Sequence, residues 1–299
     1  MTNPSFSGII PPVVTPFDQH GEFDETSAKA IIDHLIEAKV DGLFFLGSTG
    51  EFSQMNTGLR KEITEFVTAY VDKRTSVLIG TGSNTIKESI ELSRFAEQMG
   101  ADGIVVINPY YWKLSEKELL RYFNSIANST LLPMLLYNFP ERTGQSLSAD
   151  LVKKLVDSNP NIAGIKDTID SIAHIKDLIL TVKSAHPQFA VLCGYDDHLL
   201  NTLFMGGDGG IIGTSNFAPE LFTGLYSAYQ ANDFQEVKKK NDQILRLSQI
   251  YKNNASILSV IKECLIQKDF NLSPSSLGPF SEVDENGKAN IKGILQNLE

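Results

Sequence analysis

The chain has 299 residues, 42% of them apolar and 21% charged, which suits one sizeable core or two smaller ones. Its 26 basic and 36 acidic residues leave a net charge of −10, which argues against nucleic acid or an anionic membrane as the main partner. The two cysteines, Cys193 and Cys264, are far apart, and the five histidines form no HxH or HExxH spacing, so neither a disulfide framework nor a metal site is expected. The opening residues 1–6 carry no basic region followed by an apolar stretch, and no run is long enough to span a bilayer. A reducing cytoplasm is the expected compartment.

Short β-branched apolar runs alternate with longer segments of helical periodicity. Strands are predicted over 8–16, 42–46, 76–80, 103–107, 133–138, 162–166, 189–193 and 210–214. Asp24-Glu25-Thr26 opens a first helix, with Ile31, Ile32, Leu35 and Ile36 on one face. A second, over 59–71, groups Ile63, Phe66, Val67 and Tyr70, and Ser115-Glu116-Lys117-Glu118 is a capping box before a third. Eight strand–helix alternations read as a parallel sheet covered on both faces, and eight is the number that closes a (β/α)8 TIM barrel. A doubly wound open sheet is the alternative, but the first turn, Pro16-Phe17-Asp18-Gln19-His20-Gly21, lacks its glycine fingerprint. After residue 217 the strand signal stops. Helices are predicted over 219–230, 234–251 and 256–267, with a surface loop over 273–287. The expected division is a barrel over 1–217 and a C-terminal helical extension of three helices over 218–299.

In a barrel of this kind the chemistry lies at the C-terminal strand ends. Those ends carry Gly47-Ser48-Thr49-Gly50-Glu51, Asn108-Pro109-Tyr110-Tyr111, Tyr137-Asn138-Phe139-Pro140-Glu141-Arg142, Lys166-Asp167-Thr168 and Gly194-Tyr195-Asp196-Asp197. Lys166 follows the apolar run Ile162-Ala163-Gly164-Ile165. Among apolar neighbours an ammonium loses hydration, its pKa falls, and the free amine can attack a ketone. Lowering it from about 10.4 towards 7 costs roughly 4–5 kcal/mol. Each residue also has a plainer reading. A lysine at a strand end can snorkel to solvent, Gly-Ser-Thr-Gly can be a tight turn, and Tyr111 and Tyr137 can be core aromatics. Arg142 is either a surface ion-pair partner or a carboxylate clamp, and Asp196 and Asp197 either cap a helix or bind hydroxyls. The convergence on one rim favours the chemical reading.

Gly47-Ser-Thr-Gly-Glu51, Pro109-Tyr-Tyr111, Tyr137-Asn-Phe-Pro140 and Gly164-Ile-Lys-Asp167 resemble the signatures of the dihydrodipicolinate synthase/N-acetylneuraminate lyase family. Their order and spacing match along nearly the whole chain, from Gly8-Ile9-Ile10-Pro11-Pro12 to the C-terminal helices. The resemblance implies a homotetramer and a Schiff base between Lys166 and pyruvate or another 2-oxo acid, with no metal or organic cofactor. It implies that Tyr137 shuttles protons, that Gly47, Ser48 and Thr49 hold the pyruvate carboxylate, and that Tyr111, reached across a subunit interface, completes a Ser48–Tyr137–Tyr111 relay. Ile211 matches a residue whose backbone carbonyl lines the pyruvate pocket.

The second substrate divides the signals. Arg142-Thr143-Gly144 is similar to dihydrodipicolinate synthases, where the matching arginine binds the carboxylate of aspartate semialdehyde. Gly194-Tyr195-Asp196-Asp197, Ser48, Gly42-Leu-Phe-Phe-Leu-Gly47 and Asn108-Pro-Tyr-Tyr-Trp-Lys113 look like bacterial 2-keto-3-deoxy sugar acid aldolases. The leading expectation is retro-aldol cleavage of a 2-keto-3-deoxy sugar acid to pyruvate and an aldehyde. The runner-up is condensation of pyruvate with aspartate semialdehyde. N-acetylneuraminate cleavage and a catalytically silent barrel follow.

Overall fold

The computed structural model describes residues 6–298. Residues 1–5, read above for targeting signals, and residue 299 lie outside the described residues. Eight parallel strands form one sheet: β1 (Gly8–Ile9), β2 (Gly42–Phe45), β3 (Ser76–Gly80), β4 (Gly103–Ile107), β5 (Met134–Asn138), β6 (Ile162–Asp167), β7 (Ala190–Cys193) and β8 (Gly209–Gly210). The hydrogen-bonded order runs β1-β8-β7-β6-β5-β4-β3-β2, so β2 to β8 follow one another in sequence order and β1 pairs with β8. The seam between β1 and β2 is drawn together by single bonds. Val13 N–H donates to the Phe44 carbonyl at 2.8 Å, Phe44 N–H to Pro11 at 2.9 Å, and Asp41 N–H to Ile9 at 2.9 Å. The result is the nearly closed (β/α)8 barrel that the alternation predicts.

The first and last strands are shorter than predicted. Residues 8–16 were expected to pair throughout, but Pro11 and Pro12 have no N–H to give, and beyond Ile9 only an isolated bridge joins Pro12 to Phe44. At the other end, pairing stops at Gly210, and Gly213–Asn216 winds into a 3-10 turn. Gly209 sits at φ +150°, where a Cβ would lie 1.9 Å from the Gly8 carbonyl oxygen, so only glycine lets β8 approach β1.

Helices α1 (Glu25–Glu37), α2 (Thr57–Val71), α3 (Ile86–Gln98), α4 (Glu116–Ala127), α5 (Pro140–Thr143), α6 (Ala149–Ser158), α7 (Ile172–Leu178) and α8 (Leu199–Phe204) fill the connections. Asp24 caps α1 by accepting from Thr26 N–H and Ser27 N–H, and the Ser115/Glu118 capping box starts α4. Helix α1 buries Ile31, Ile32 and Leu35 against the sheet, whose strands are buried almost throughout. At about 25 cal/mol per Å² of apolar surface, this continuous core is the main driving force for closing the barrel.

Four helices follow β8: α9 (Pro219–Gln230), α10 (Phe234–Leu247), α11 (Ile257–Gln267) and α12 (Glu285–Gln296). Helix α9 packs against β1 in the outer layer, and α10 continues into a 3-10 turn over Ser248–Lys252. The loop expected over 273–287 ends at Asp284, which caps α12 by accepting from Gly287 N–H. Gly287 and Gly293 weaken the helical signal there, and Ile291 is the one fully buried residue of α12.

Candidate active site

Lys166 and Tyr137 are Cα partners across β6 and β5. Directly paired residues point to the same side of a sheet, so both side chains enter the barrel mouth together. The Lys166 amine lies 4.3 Å from the centre of the Tyr137 ring and 5.1 Å from that of Phe44 on β2. Lys166 is only 4% exposed, and burial lowers its pKa to about 7, with no carboxylate opposing the shift. Near neutral pH a large share of the amine is therefore the free base. Burial pushes the Tyr137 phenol up to about 12, against the opposing hydrogen bond with Ser48.

The Ser48 and Tyr137 hydroxyls share a hydrogen bond at 3.3 Å. Ser48 and Thr49 sit half-buried in a tight turn after β2. Gly50 N–H donates to the Gly47 carbonyl at 3.1 Å and Glu51 N–H to the Ser48 carbonyl at 3.1 Å. Thr15 Oγ1 donates to the Gly50 carbonyl at 2.9 Å and fastens the turn to the segment after β1. A side chain at Gly47 would meet the Phe44 ring at 2.6 Å, so glycine lets the turn press onto an aromatic that also flanks Lys166.

Other predicted residues take distinct places. Arg142 is exposed on α5, with its guanidinium 5.5 Å from the Phe139 ring centre and no ion pair among the described residues. Tyr195 donates to Glu141 at 3.1 Å and links the loops after β7 and β5. Gly194 leaves room for Thr168, whose hydroxyl a Cβ at 194 would approach to 2.0 Å. Ile211 is buried; its N–H donates to the Cys193 carbonyl at 2.8 Å, while its own carbonyl accepts no hydrogen bond among the described residues. Asp197 is exposed.

Asp196 and Tyr111 lie in contrasting surroundings. Asp196 is 2% exposed and engaged within the protein: Tyr251 donates to its two carboxylate oxygens at 2.9 and 3.0 Å, and Thr214 donates at 2.7 Å. Burial raises its pKa to about 7. It neither caps the following turn nor faces open solvent. Tyr111 is 88% exposed at φ +88°, stacked edge-to-face on the equally outlying Trp112 at 5.3 Å. Within one chain Ser48 meets Tyr137, whereas Tyr111 is exposed.

Sequence reasoning passed over the groups behind and beside the lysine. Asp167 accepts from Asn138 Nδ2 at 2.7 Å and His174 Nδ1 at 2.9 Å, while His174 Nε2 faces the Leu147 carbonyl at 3.0 Å. Both imidazole nitrogens meet acceptors, an arrangement that favours the doubly protonated ring beside Asp167. Burial opposes that charge, but Asp167 more than offsets it and lifts the His174 pKa above its ordinary value. This network ties the ends of β5 and β6 together. Thr168 Oγ1 is buried and makes no well-formed hydrogen bond among the described residues, but it lies close enough to the Tyr137 phenol to oppose part of its upward shift. Its position two residues after Lys166 was the one available sequence signal.

Among the described residues no group of three or more His, Cys, Asp or Glu side chains could hold a metal ion. The rim therefore offers an amine of low pKa, a phenol, hydroxyls, an arginine and an unengaged carbonyl.

Residues 5–298 match the Dihydrodipicolinate synthetase family. The chain is 52% identical over 294 residues to YagE of Escherichia coli K12, provisionally named a 2-dehydro-3-deoxy-D-gluconate aldolase, covering 98% of this chain and 97% of that one. It is 46% identical to YjhH of the same organism, provisionally named a 2-dehydro-3-deoxy-D-pentonate aldolase, covering 97% and 96%. The crystal structure of YagE in complex with pyruvate superposes with a TM-score of 0.96 over 98% of both chains. A crystal structure of a dihydrodipicolinate synthase superposes at 0.91 with 31% identity, over 98% of this chain and 99% of that one. With a family match over nearly the whole chain and a barrel that superposes on a member's structure along its length, this chain belongs to the dihydrodipicolinate synthetase family.

Proposed function

We propose that this protein is a class I aldolase that cleaves a 2-keto-3-deoxy sugar acid reversibly to pyruvate and an aldehyde through a Schiff base on Lys166. The observation that carries this reading is the Lys166 amine, buried to a pKa of about 7 beside the Tyr137 phenol. The free amine adds to the C2 ketone, and loss of water leaves a protonated imine. Removal of the C4 hydroxyl proton starts the cleavage. The C3–C4 bond breaks, its electron pair enters the imine as an enamine, and the aldehyde departs. Protonation at C3 and hydrolysis then return pyruvate and the free amine. No metal or organic cofactor enters these steps.

Tyr137 is the proposed proton carrier at the C4 oxygen. Its phenol is neutral at rest, and the imine cation beside it favours the phenolate when a proton must be taken. Ser48 passes the proton on. Gly47, Ser48 and Thr49 hold the 2-oxo acid carboxylate, and the Ile211 carbonyl lines the same pocket. In this reading Thr168, and Tyr195, Gly194 and Asp197 at the β7 end, meet the hydroxylated chain; the Thr168 hydroxyl, without a well-formed hydrogen bond among the described residues, supports its part. Arg142, without an ion pair among the described residues, is the group proposed to meet a distal polar or acidic group of the substrate.

The names of YagE and YjhH support a sugar acid over aspartate semialdehyde. A panel of 2-keto-3-deoxy aldonates, N-acetylneuraminate and the pair pyruvate plus aspartate semialdehyde tests the choice. Pyruvate released from one or more aldonates is expected. Turnover of aspartate semialdehyde alone would overturn the substrate assignment.

The exposed Tyr111–Trp112 pair supports a subunit contact that completes the relay from a second copy. Phe204 and Phe234, both exposed and stacked at 6.1 Å, form a second apolar patch, and two different contacts suffice for a homotetramer as a dimer of dimers. No described helix is long and apolar enough to cross a membrane. The two buried free cysteines support a reducing cytoplasm.

A further inference from the structure

The turn that carries Ser48 and Thr49 is bracketed by two left-handed residues other than glycine, Leu46 at φ +57° and Glu51 at φ +60°. Such a conformation is strained for a residue with a side chain and persists only where surrounding contacts over-determine it. At Glu51 those contacts come from the other end of the chain. Its Oε1 accepts from Lys262 Nζ at 2.7 Å, and its Oε2 accepts from Leu277 N–H at 2.8 Å. Lys262, on α11, also donates to the Ser275 carbonyl at 2.6 Å and lies 5.3 Å from the Phe17 ring centre. Both side chains of the pair are 0% exposed. Glu51 N–H donates to the Ser48 carbonyl, and Ser48 in turn meets Tyr137 at 3.3 Å. A continuous set of bonds therefore runs from α11 to the phenol beside Lys166.

A buried ion pair is a poor device for stability alone, because desolvation cancels much of its attraction and apolar residues of similar volume often serve as well. It is a good device for holding one geometry, since neither partner is free to move without leaving a bare buried charge. We infer that Glu51 and Lys262 form a strut that positions the Ser48–Thr49 turn for the 2-oxo acid carboxylate, making the C-terminal extension part of the active site. Both are positioning residues that act through Ser48 and Thr49, and the inference rests on the aldolase reading above.

The test uses full-length Glu51→Gln and Lys262→Met, with folding checked by circular dichroism. The readout is the half-saturating concentration for borohydride trapping of pyruvate, compared with its neutral methyl ester. A strut that orients carboxylate-binding hydroxyls predicts a rise of about tenfold or more for pyruvate in both variants, because a small misplacement of a positioning group is expensive. It predicts little change for the ester, so that the preference for the acid collapses. Folded variants that keep the wild-type preference would overturn the inference. Glu51→Gln, isosteric and able to keep one acceptor, decides the matter if Lys262→Met does not fold, and loss of the fold in both would assign the pair to stability and also count against it. Failure of wild-type protein to trap pyruvate would instead overturn the aldolase reading.

Discussion

Lys166 and Tyr137 lie opposite each other on neighbouring parallel strands, which sets the amine 4.3 Å from the centre of the phenol ring. The register of β5 and β6, and not a flexible loop, fixes this distance. Register is held in turn by the Asn138–Asp167–His174 network one residue further along. The proposed nucleophile and proton carrier thus sit on paired strands, while the residues proposed to meet the aldehyde follow β6 and β7.

The buried lysine makes its own stability prediction. Its folded pKa of about 7 lies below the unfolded value of 10.5, so between these the unfolded chain binds more protons and stability rises with pH. Below pH 7 the full penalty applies, several kcal/mol at about 1.4 kcal/mol per pKa unit. Lys166→Met therefore raises the melting temperature, most strongly at pH 6 and least near pH 10, while abolishing activity. Equal or lower stability of the variant at pH 6 would count against the low pKa.

Tyr137→Phe separates proton transfer from imine formation. It keeps the ring beside the amine, so borohydride still traps pyruvate on Lys166. Steady-state cleavage falls by about 10²–10⁴-fold, the usual worth of a positioned acid–base group. Ser48→Ala falls less, since the phenol remains. Loss of trapping in Tyr137→Phe would mean that the phenol is needed to form the imine and not only to move the later proton.

His174 gives a prediction of opposite slope to that of the lysine. Its pKa is raised in the folded state, so its contribution is complete below the unfolded value of 6.5 and is lost as pH climbs through the folded value. His174→Gln destabilises the protein by on the order of 1 kcal/mol at pH 5.5, and the difference shrinks in alkaline solution. Thermal melts of both proteins across pH 5.5–9 read it directly, and a gap that widened with pH would contradict an imidazolium at this position.

Asp196 is predicted to matter for stability more than for substrate. Its folded pKa, about 7, exceeds the unfolded 3.8, so wild-type stability falls as pH rises through that interval. Asp196→Asn removes the titrating group while keeping partners for Tyr251 and Thr214. It should gain stability relative to wild type above pH 7 and lose that gain towards pH 4, with KM changed less than twofold or so. A KM increase of about tenfold or more in folded protein would return Asp196 to the substrate pocket.

The sequence made the barrel and its rim legible because both rest on local patterns. Lys166 and Tyr137 each end an apolar strand, and strand ends share one face in any barrel. Residues that act through distant partners left no such mark. Nothing near Asp196 announces Tyr251, 55 residues away, and nothing near Glu51 announces Lys262 at a separation of 211. The Gly194-Tyr195-Asp196-Asp197 motif leaves both carboxylates open between helix caps and hydroxyl-binding groups, and the structure gives Asp196 partners inside the protein that neither reading names. Helix α12 was read in part as loop because Gly287 and Gly293 dilute its pattern, and β1 as too long because apolar content outweighed the two prolines that stop its pairing.

The central claim is that Lys166 is the nucleophile. Incubation with pyruvate, reduction with borohydride and mass spectrometry of the digested protein test it most directly. The account predicts a reduced pyruvate adduct on the Lys166 peptide, formed faster as pH rises through about 7, and no adduct in Lys166→Ala. Folded wild-type protein without an adduct, or an adduct on another lysine that survives in Lys166→Ala, would contradict it.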